Sequence, residues 1–295
     1  MASNLLPARE EYHKKKRRQK LFKYGIIISL FVFIIGTFSY ITRRPEIRIS
    51  KVELSGAILV TKEDVELESL NFMKGSYLWL FPKNSSFLYP KRALEDYLRE
   101  SFKRIDTIEI DLKDLDTVQV SITERKAIAL WCDTLPSSES LPAPEAIVDD
   151  GSYRSQGYCY FMDQNSNIFA GAPNFSGDAY FKYYGLITVS SDIGNPIGSF
   201  YMSSSTKFAE VVDFIETTRK LSLKPQYLIA KNNDEFSLII AGGGEVYFDI
   251  KRPLSIVAEN LETLLENPPL SKYKGYLPVE YIDLRFGNKL FYKLK

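Results

Sequence analysis

"VSITERKAIALWC", residues 120–132, decides how many units this chain has. It starts as an alternating strand, with Val120 and Ile122 apolar and Ser121 and Thr123 polar. Three charged residues follow, Glu124, Arg125 and Lys126, and then the apolar run to Cys132. We read one strand that closes a unit before it and runs on past residue 125 into a second unit.

Upstream, residues 47–125 follow a compact order. "IRISKVELSG" alternates through Ile47, Ile49, Val52 and Leu54, slips near Ser50 and stops at Gly56. "TKEDVELESL" reads as a short helix with Thr61 as N-cap and Asp64 three residues on. "GSYLWLFP" reads as a loop or extended piece ending at Pro82. Pro90 suits the first turn of a second helix, with Ala93, Leu94, Tyr97, Leu98 and Phe102 at helical spacing. "IDTIEIDL" and "DTVQVSITE" alternate as two strands. The order is β-α-α-β-β, enough to bury one sheet face under two helices.

Further upstream, "YGIIISLFVFIIGTFSYI", residues 24–41, carries no charge. As a helix it spans roughly 27 Å, close to the hydrocarbon thickness. A signal peptide is the other reading, but the run exceeds a typical signal core of about 7–15 residues and no small-x-small site follows. Residues 1–23 hold eight Lys or Arg against Glu10 and Glu11, a net +6, which leaves −5 on the rest. The positive-inside rule puts this basic tail in the cytoplasm and residues 42–295 outside, in a single pass. A mildly acidic body argues against a nucleic-acid binder.

Downstream, residues 133–157 are rich in Pro, Ser and acid and show no period, which reads as a mobile surface insertion. Strand-turn-strand resumes at "YCYFMDQNSNIFA", with Asp163–Asn167 as the turn. If the strands flanking the insertion pair as a hairpin, Cys132 and Cys159 lie opposite one another and a disulfide is possible. A one-residue slip would separate the sulfurs. "STKFAEVVDFIETTRKL" reads as a helix capped by Ser204 or Ser205, with Phe208, Val211, Val212 and Ile215 on one face. Short strands follow. "AGGGE" between two of them reads as a hairpin turn rather than a phosphate loop, because a strand follows it and not a helix. Pro253 opens a helix that Pro268 and Pro269 stop. Residues 126–295 therefore form a mixed, β-rich unit with two or three helices, and the fold class is α+β.

The chain ends on "YIDLRFGNKLFYKL", residues 281–294. Even positions are apolar or aromatic except Asn288, and odd positions include Asp283, Arg285, Lys289 and Lys293. Gly287-Asn288 permits a two-residue hairpin turn. One strand bent at Gly287 is preferred, because a tight turn would mix the two faces. Lysines on a closing edge would deter aggregation. A free edge would also accept a partner's strand.

Catalytic signals are sparse. The only histidine, His13, lies in the basic tail, so the exported part has no Ser-His-Asp triad and no imidazole-bound metal site. Asp149, Asp150 and Asp283 are candidate carboxylates for acid-base work, and adjacent loop carboxylates serve it badly. No cofactor, metal or small-molecule substrate is implied.

"ISKVELSGAILVTKEDV", "VSITERKAIALW" and "YIDLRFGNK", in order behind one anchor, resemble the bacterial cell-division proteins FtsQ/DivIB from about Lys14 onward. The resemblance implies a POTRA domain over 47–125 and a β domain over 126–295. It implies a non-enzymatic scaffold in the cytoplasmic membrane at the division septum. Its partners would be small anchored FtsB/DivIC-like and FtsL-like proteins, held by strand addition at the C-terminal strand. Arg285, Phe286 and Asn288 match the family's closing motif, and Lys289, Leu290 and Tyr292 continue the expected edge. Arg285 would pair with a partner carboxylate and Phe286 would anchor or join the core. The 133–157 insertion and the cysteine pair depart from the family pattern. The alternative class is an export or assembly factor carrying POTRA units, though this chain has one such unit and no barrel pattern.

Overall fold

A computed structural model describes residues 6–136, 158–173, 179–188, 195–273, 276–287 and 289–295, with side chains from residue 16 onward. The fold is α+β, and the chain divides into two compact units at Glu124 and Arg125.

The first unit opens with helix α1, Leu6–Thr42. It is longer than the apolar run because the basic tail is helical too. Lys, Arg, Gln and Glu are good helix formers, and nothing between Pro7 and Gly25 breaks the pattern. Lys16–Thr42 is long and apolar enough to cross a membrane. Pro45 stops the helix and starts a single 3-10 turn.

Strand β1 (Lys51–Ser55) leads to helix α2 (Lys62–Phe72), and Thr61 caps it by accepting the Asp64 N–H. A small hairpin follows, β2 (Ser76–Tyr77) and β3 (Phe81–Pro82), where the sequence reading placed only a loop or extended piece. Helix α3 spans Lys91–Ser101, with Pro90 just outside it as N-cap. It buries Leu94 and Leu98 while Ala93 faces solvent. Strands β4 (Ile105–Asp114) and β5 (Thr117–Glu124) complete a sheet of order β1-β5-β4, with β1 parallel to β5. Its core holds Val52, Val65, Leu94, Leu98, Ile110, Val118 and Val120.

Gly56 turns the chain after β1 at φ +79, and a Cβ there would lie 2.1 Å from the Ile122 carbonyl oxygen. Only glycine fits. The loop after it is held by Glu124, whose Oε1 accepts the N–H groups of Ile58, Leu59 and Val60 at 2.7, 2.7 and 2.9 Å. Burial pushes the Glu124 carboxyl up, but those three N–H groups and Arg104 outweigh it and hold the pKa below the usual carboxylate value.

The strand does not run on past Glu124 as the sequence suggested. β5 ends there, residues 125–128 are irregular, and strand β6 (Ala129–Cys132) belongs to a different sheet. The charged triplet is the reason. Glu124 is committed to the loop of its own unit, while Arg125 is committed to Asp163 of the second unit at 2.5 Å. Two adjacent side chains serving two cores leave no room for continuous pairing.

In the second unit, β6 is followed by β7 (Cys159–Met162), β8 (Ile168–Gly171) and β9 (Phe181–Gly185). Then come helix α4 (Ser205–Lys220), β10 (Pro225–Ala230), β11 (Glu235–Ile240), β12 (Gly244–Asp249) and helix α5 (Leu254–Glu266). Strands β13 (Val279–Phe286) and β14 (Lys289–Leu294) close the chain. The nine strands form one sheet, ordered β14-β13-β12-β11-β10-β9-β6-β7-β8. The inward residues Leu228, Leu238, Val246, Phe248, Ile282 and Leu284 form one core with Phe208, Val211, Phe214 and Ile215 of α4 and Val257 and Leu261 of α5. Ser204 caps α4 through the Lys207 N–H. Gly242 and Gly243, both at positive φ, make the turn between β11 and β12.

β6 and β7 pair as a hairpin with Cys132 opposite Cys159, and the two are disulfide-bonded. Of the insertion they enclose, residues 137–157 lie outside the described residues, and so do Asp149 and Asp150. The turn at Asp163–Asn167 forms as an Asx turn: Asp163 Oδ1 accepts the N–H of Asn165 at 2.8 Å and of Asn167 at 2.9 Å.

Candidate partner-binding edge

The closing stretch is a hairpin, not one bent strand. β13 and β14 pair antiparallel, with Phe286 opposite Lys289 and the chain turning at Gly287. Gly287 has φ +66, as a tight hairpin turn requires. Asn288 lies outside the described residues. The single-strand preference assumed that a tight turn scrambles the faces. A register shift between Asp283 and Phe286 removes that objection. Beyond it, Ile282 pairs with Tyr292 and Asp283 with Phe291, so even residues face one side in both strands. Alternation across the whole run is thus what a turn plus a one-residue bulge produces.

This relocates the edge. β13 is flanked on both sides, by β12 in parallel and by β14 in antiparallel. The sheet margin is β14, paired on one side only. Of the six residues expected at the edge, Lys289, Leu290 and Tyr292 lie on it, while Arg285 and Phe286 sit on the interior neighbour.

Arg285 already has its carboxylates. Its Nε donates to Asp283 Oδ1 at 2.9 Å and its Nη2 to Asp283 Oδ2 at 2.6 Å, a two-bond fork. Its Nη1 donates to Glu235 Oε2 at 3.2 Å. The guanidinium also lies 5.3 Å from the Tyr247 ring centre and 5.7 Å from that of Phe286. Burial pushes Asp283 up, but the Arg285 bonds prevail and hold it below the usual carboxylate range. Burial and then the hydrogen bond to Glu245 push Tyr247 up to about 12.

Phe286 is neither core nor edge backbone. It is 56% exposed and meets Phe291 edge-on at 5.4 Å between ring centres. Leu290 and Leu294 of β14 pack on the core, whereas Phe291 and Tyr292 are exposed. The margin therefore combines one-sided backbone with the exposed Phe286–Phe291 pair on one face and the exposed Tyr292 on the other. Sequence reasoning missed Phe291 and Tyr247. The odd parity of Phe291 was the available signal: an aromatic on the polar face of a terminal strand has no core to fill. Lys293 pairs with Glu280 at 2.7 Å across the hairpin.

The described residues include no group of three or more His, Cys, Asp or Glu side chains placed to hold a metal. No family model matches the chain, and no curated protein matches it either.

Proposed function

We propose that this chain is a single-pass, non-enzymatic scaffold of the bacterial division machinery, of the FtsQ/DivIB kind. Its tail would lie in the cytoplasm and both folded units outside, at the septum. Residues 47–125 would act as a POTRA domain and residues 126–295 as the β domain. β14 would take up a strand from a small anchored partner of the FtsB/DivIC or FtsL type.

The observation that carries this reading is the one-sided pairing of β14. An unpaired row of N–H and C=O groups is a ready template for another chain. The exposed Phe286, Phe291 and Tyr292 beside it supply side-chain contacts that backbone pairing alone lacks. The first unit's three-stranded sheet with helices α2 and α3, into which the β2–β3 hairpin is inserted, and the apolar helix ahead of it support the same reading. Arg285 acts here as a positioning residue: paired with Asp283 and Glu235, it holds Phe286 at the margin.

The test is a proline scan over 290–293 in the intact protein. Successive residues of a strand point their N–H groups to opposite sides. Two of the four positions therefore lack a ladder bond to β13 and tolerate proline in the fold. Those two variants should stay folded yet lose capture of the partner. Full capture by both would sink strand addition at β14.

A further inference from the structure

The geometry points to a second membrane contact: the tip of the β2–β3 hairpin, Leu78-Trp79, inserts into the interfacial layer of the outer leaflet beside the anchor helix. This rests on α1 being the anchor and not on the identity of any partner.

The hairpin is fastened to the end of α1. Ser39 Oγ donates to the Leu80 carbonyl at 2.8 Å, Arg43 Nη2 to the Trp79 carbonyl at 2.8 Å and Arg43 Nε to the Leu80 carbonyl at 3.3 Å. The Phe38 and Phe81 rings lie 5.6 Å apart. Ser39 and Thr42 are buried by this packing, although most of α1 is bare. Phe38 and Ser39 belong to the last turn of the apolar run 24–41. A hairpin fixed at that height sits where hydrocarbon gives way to headgroups.

Its tip carries the wrong residues for its conformation. The Leu80 N–H donates to the Tyr77 carbonyl at 3.0 Å, which closes a four-residue turn. The central residues, Leu78 and Trp79, have φ +47 and +54. Two positive φ values in a tight hairpin call for Asn-Gly or Asp-Gly. Leu and Trp gain nothing from that backbone and are largely exposed, at 78% and 80%. Strain kept at a site points to a role for its side chains. Trp is the residue favoured at membrane interfaces, and Leu has an apolar medium within reach there. Arg43 holds the hairpin in space, Lys74 and Lys83 flank it in sequence, and Lys83 lies 5.7 Å from the Tyr77 ring centre. Such a basic fringe suits phosphate headgroups.

The experiment uses the full chain in vesicles of phosphatidylcholine and phosphatidylglycerol, with no other protein present. Trp79 emission is read as the difference between the protein and its Trp79→Phe variant, since the only other tryptophan, Trp131, is buried. Acyl chains brominated near the headgroup should quench most of that emission, and aqueous iodide little of it. Emission untouched by bromine overturns the inference, whether or not iodide reaches it, and leaves the anchor standing. A chain that fails to float with the vesicles overturns the anchor and the inference together.

Discussion

The nine-stranded sheet has two margins, and they are finished differently. At β8 the chain returns to cover its own edge. The Ile168 N–H donates to the Ser199 carbonyl at 2.9 Å, the Gly198 N–H donates to the Ile168 carbonyl at 2.7 Å, and Asn167 bridges Phe200. Behind that edge stand the disulfide between β6 and β7 and the Arg125–Asp163 pair. At β14 no strand lies outside among the described residues. The ion pair there, Lys293–Glu280, is exposed on both sides. Two edges of one sheet face the same hazard of unwanted pairing. One is closed by covalent and buried polar devices, while the other keeps only lysines and a display of aromatics. The difference supports the proposal that the open margin is kept for a partner, since the means of closing an edge are present in the same unit.

Mutations should separate the two margins by size of effect. The largest belongs to the closed side. Arg125 and Asp163 side chains are 13% and 5% exposed, and Asp163 also holds two turn N–H groups. Asp163→Ala removes all of these at once and should cost about 3–5 kcal/mol. The urea midpoint of the second unit would record it, and a loss under about 1 kcal/mol would mean that the pair does not secure this end.

Next is the disulfide. It closes a sequence separation of 27 residues. Chain entropy values such a loop at roughly 3–4 kcal/mol. Replacing both cysteines by serine should lower the urea midpoint accordingly, with no change in partner capture. A variant that holds its stability but loses capture would tie the closed side to binding and break the contrast.

The open side should respond less in stability and more in recognition. Arg285→Ala leaves the buried Asp283 without its fork. With Arg285 about a third exposed, screening limits the cost to about 1–2 kcal/mol. The pH dependence fixes the mechanism. Asp283 has a folded pKa below its unfolded value, so its contribution is complete above the ordinary carboxylate range. It is lost as pH falls through the depressed folded value. The stability gap between the protein and Arg285→Ala should therefore narrow on acidification from neutral pH to below about 4. A gap constant with pH would show that Arg285 acts through packing on Tyr247 and Phe286, not through its charge.

Much of this was legible in the sequence because period and punctuation agree there. Thr61 before an apolar-periodic run and Ser204 before another name helix starts. Pro268-Pro269 names a stop. Asp163–Asn167 and the glycines at 242–244 name turns. Three features were not legible, each for a physical reason. Residues 124–126 look like ordinary strand polarity, and only the tertiary partners of Glu124 and Arg125 show that the strand must break. Positive φ at Leu78 and Trp79 contradicts local propensity, so the small hairpin reads as a loop. The closing turn was hidden by its own bulge, which restores the parity that a turn alone would invert. That last point moved the edge backbone from β13 to β14 and took the Arg285 and Phe286 backbone off it.

The central claim is that β14 is available backbone. Residue-resolved hydrogen exchange on the intact protein in vesicles tests it most directly, alone and with a synthetic partner segment of the FtsB/DivIC type. Alone, alternate amides across 290–293 should exchange fast while their neighbours, bonded to β13, exchange slowly. With the segment bound, the fast set should slow to match. Uniform slow exchange in the isolated protein, or binding that leaves the fast set unchanged, would contradict the account.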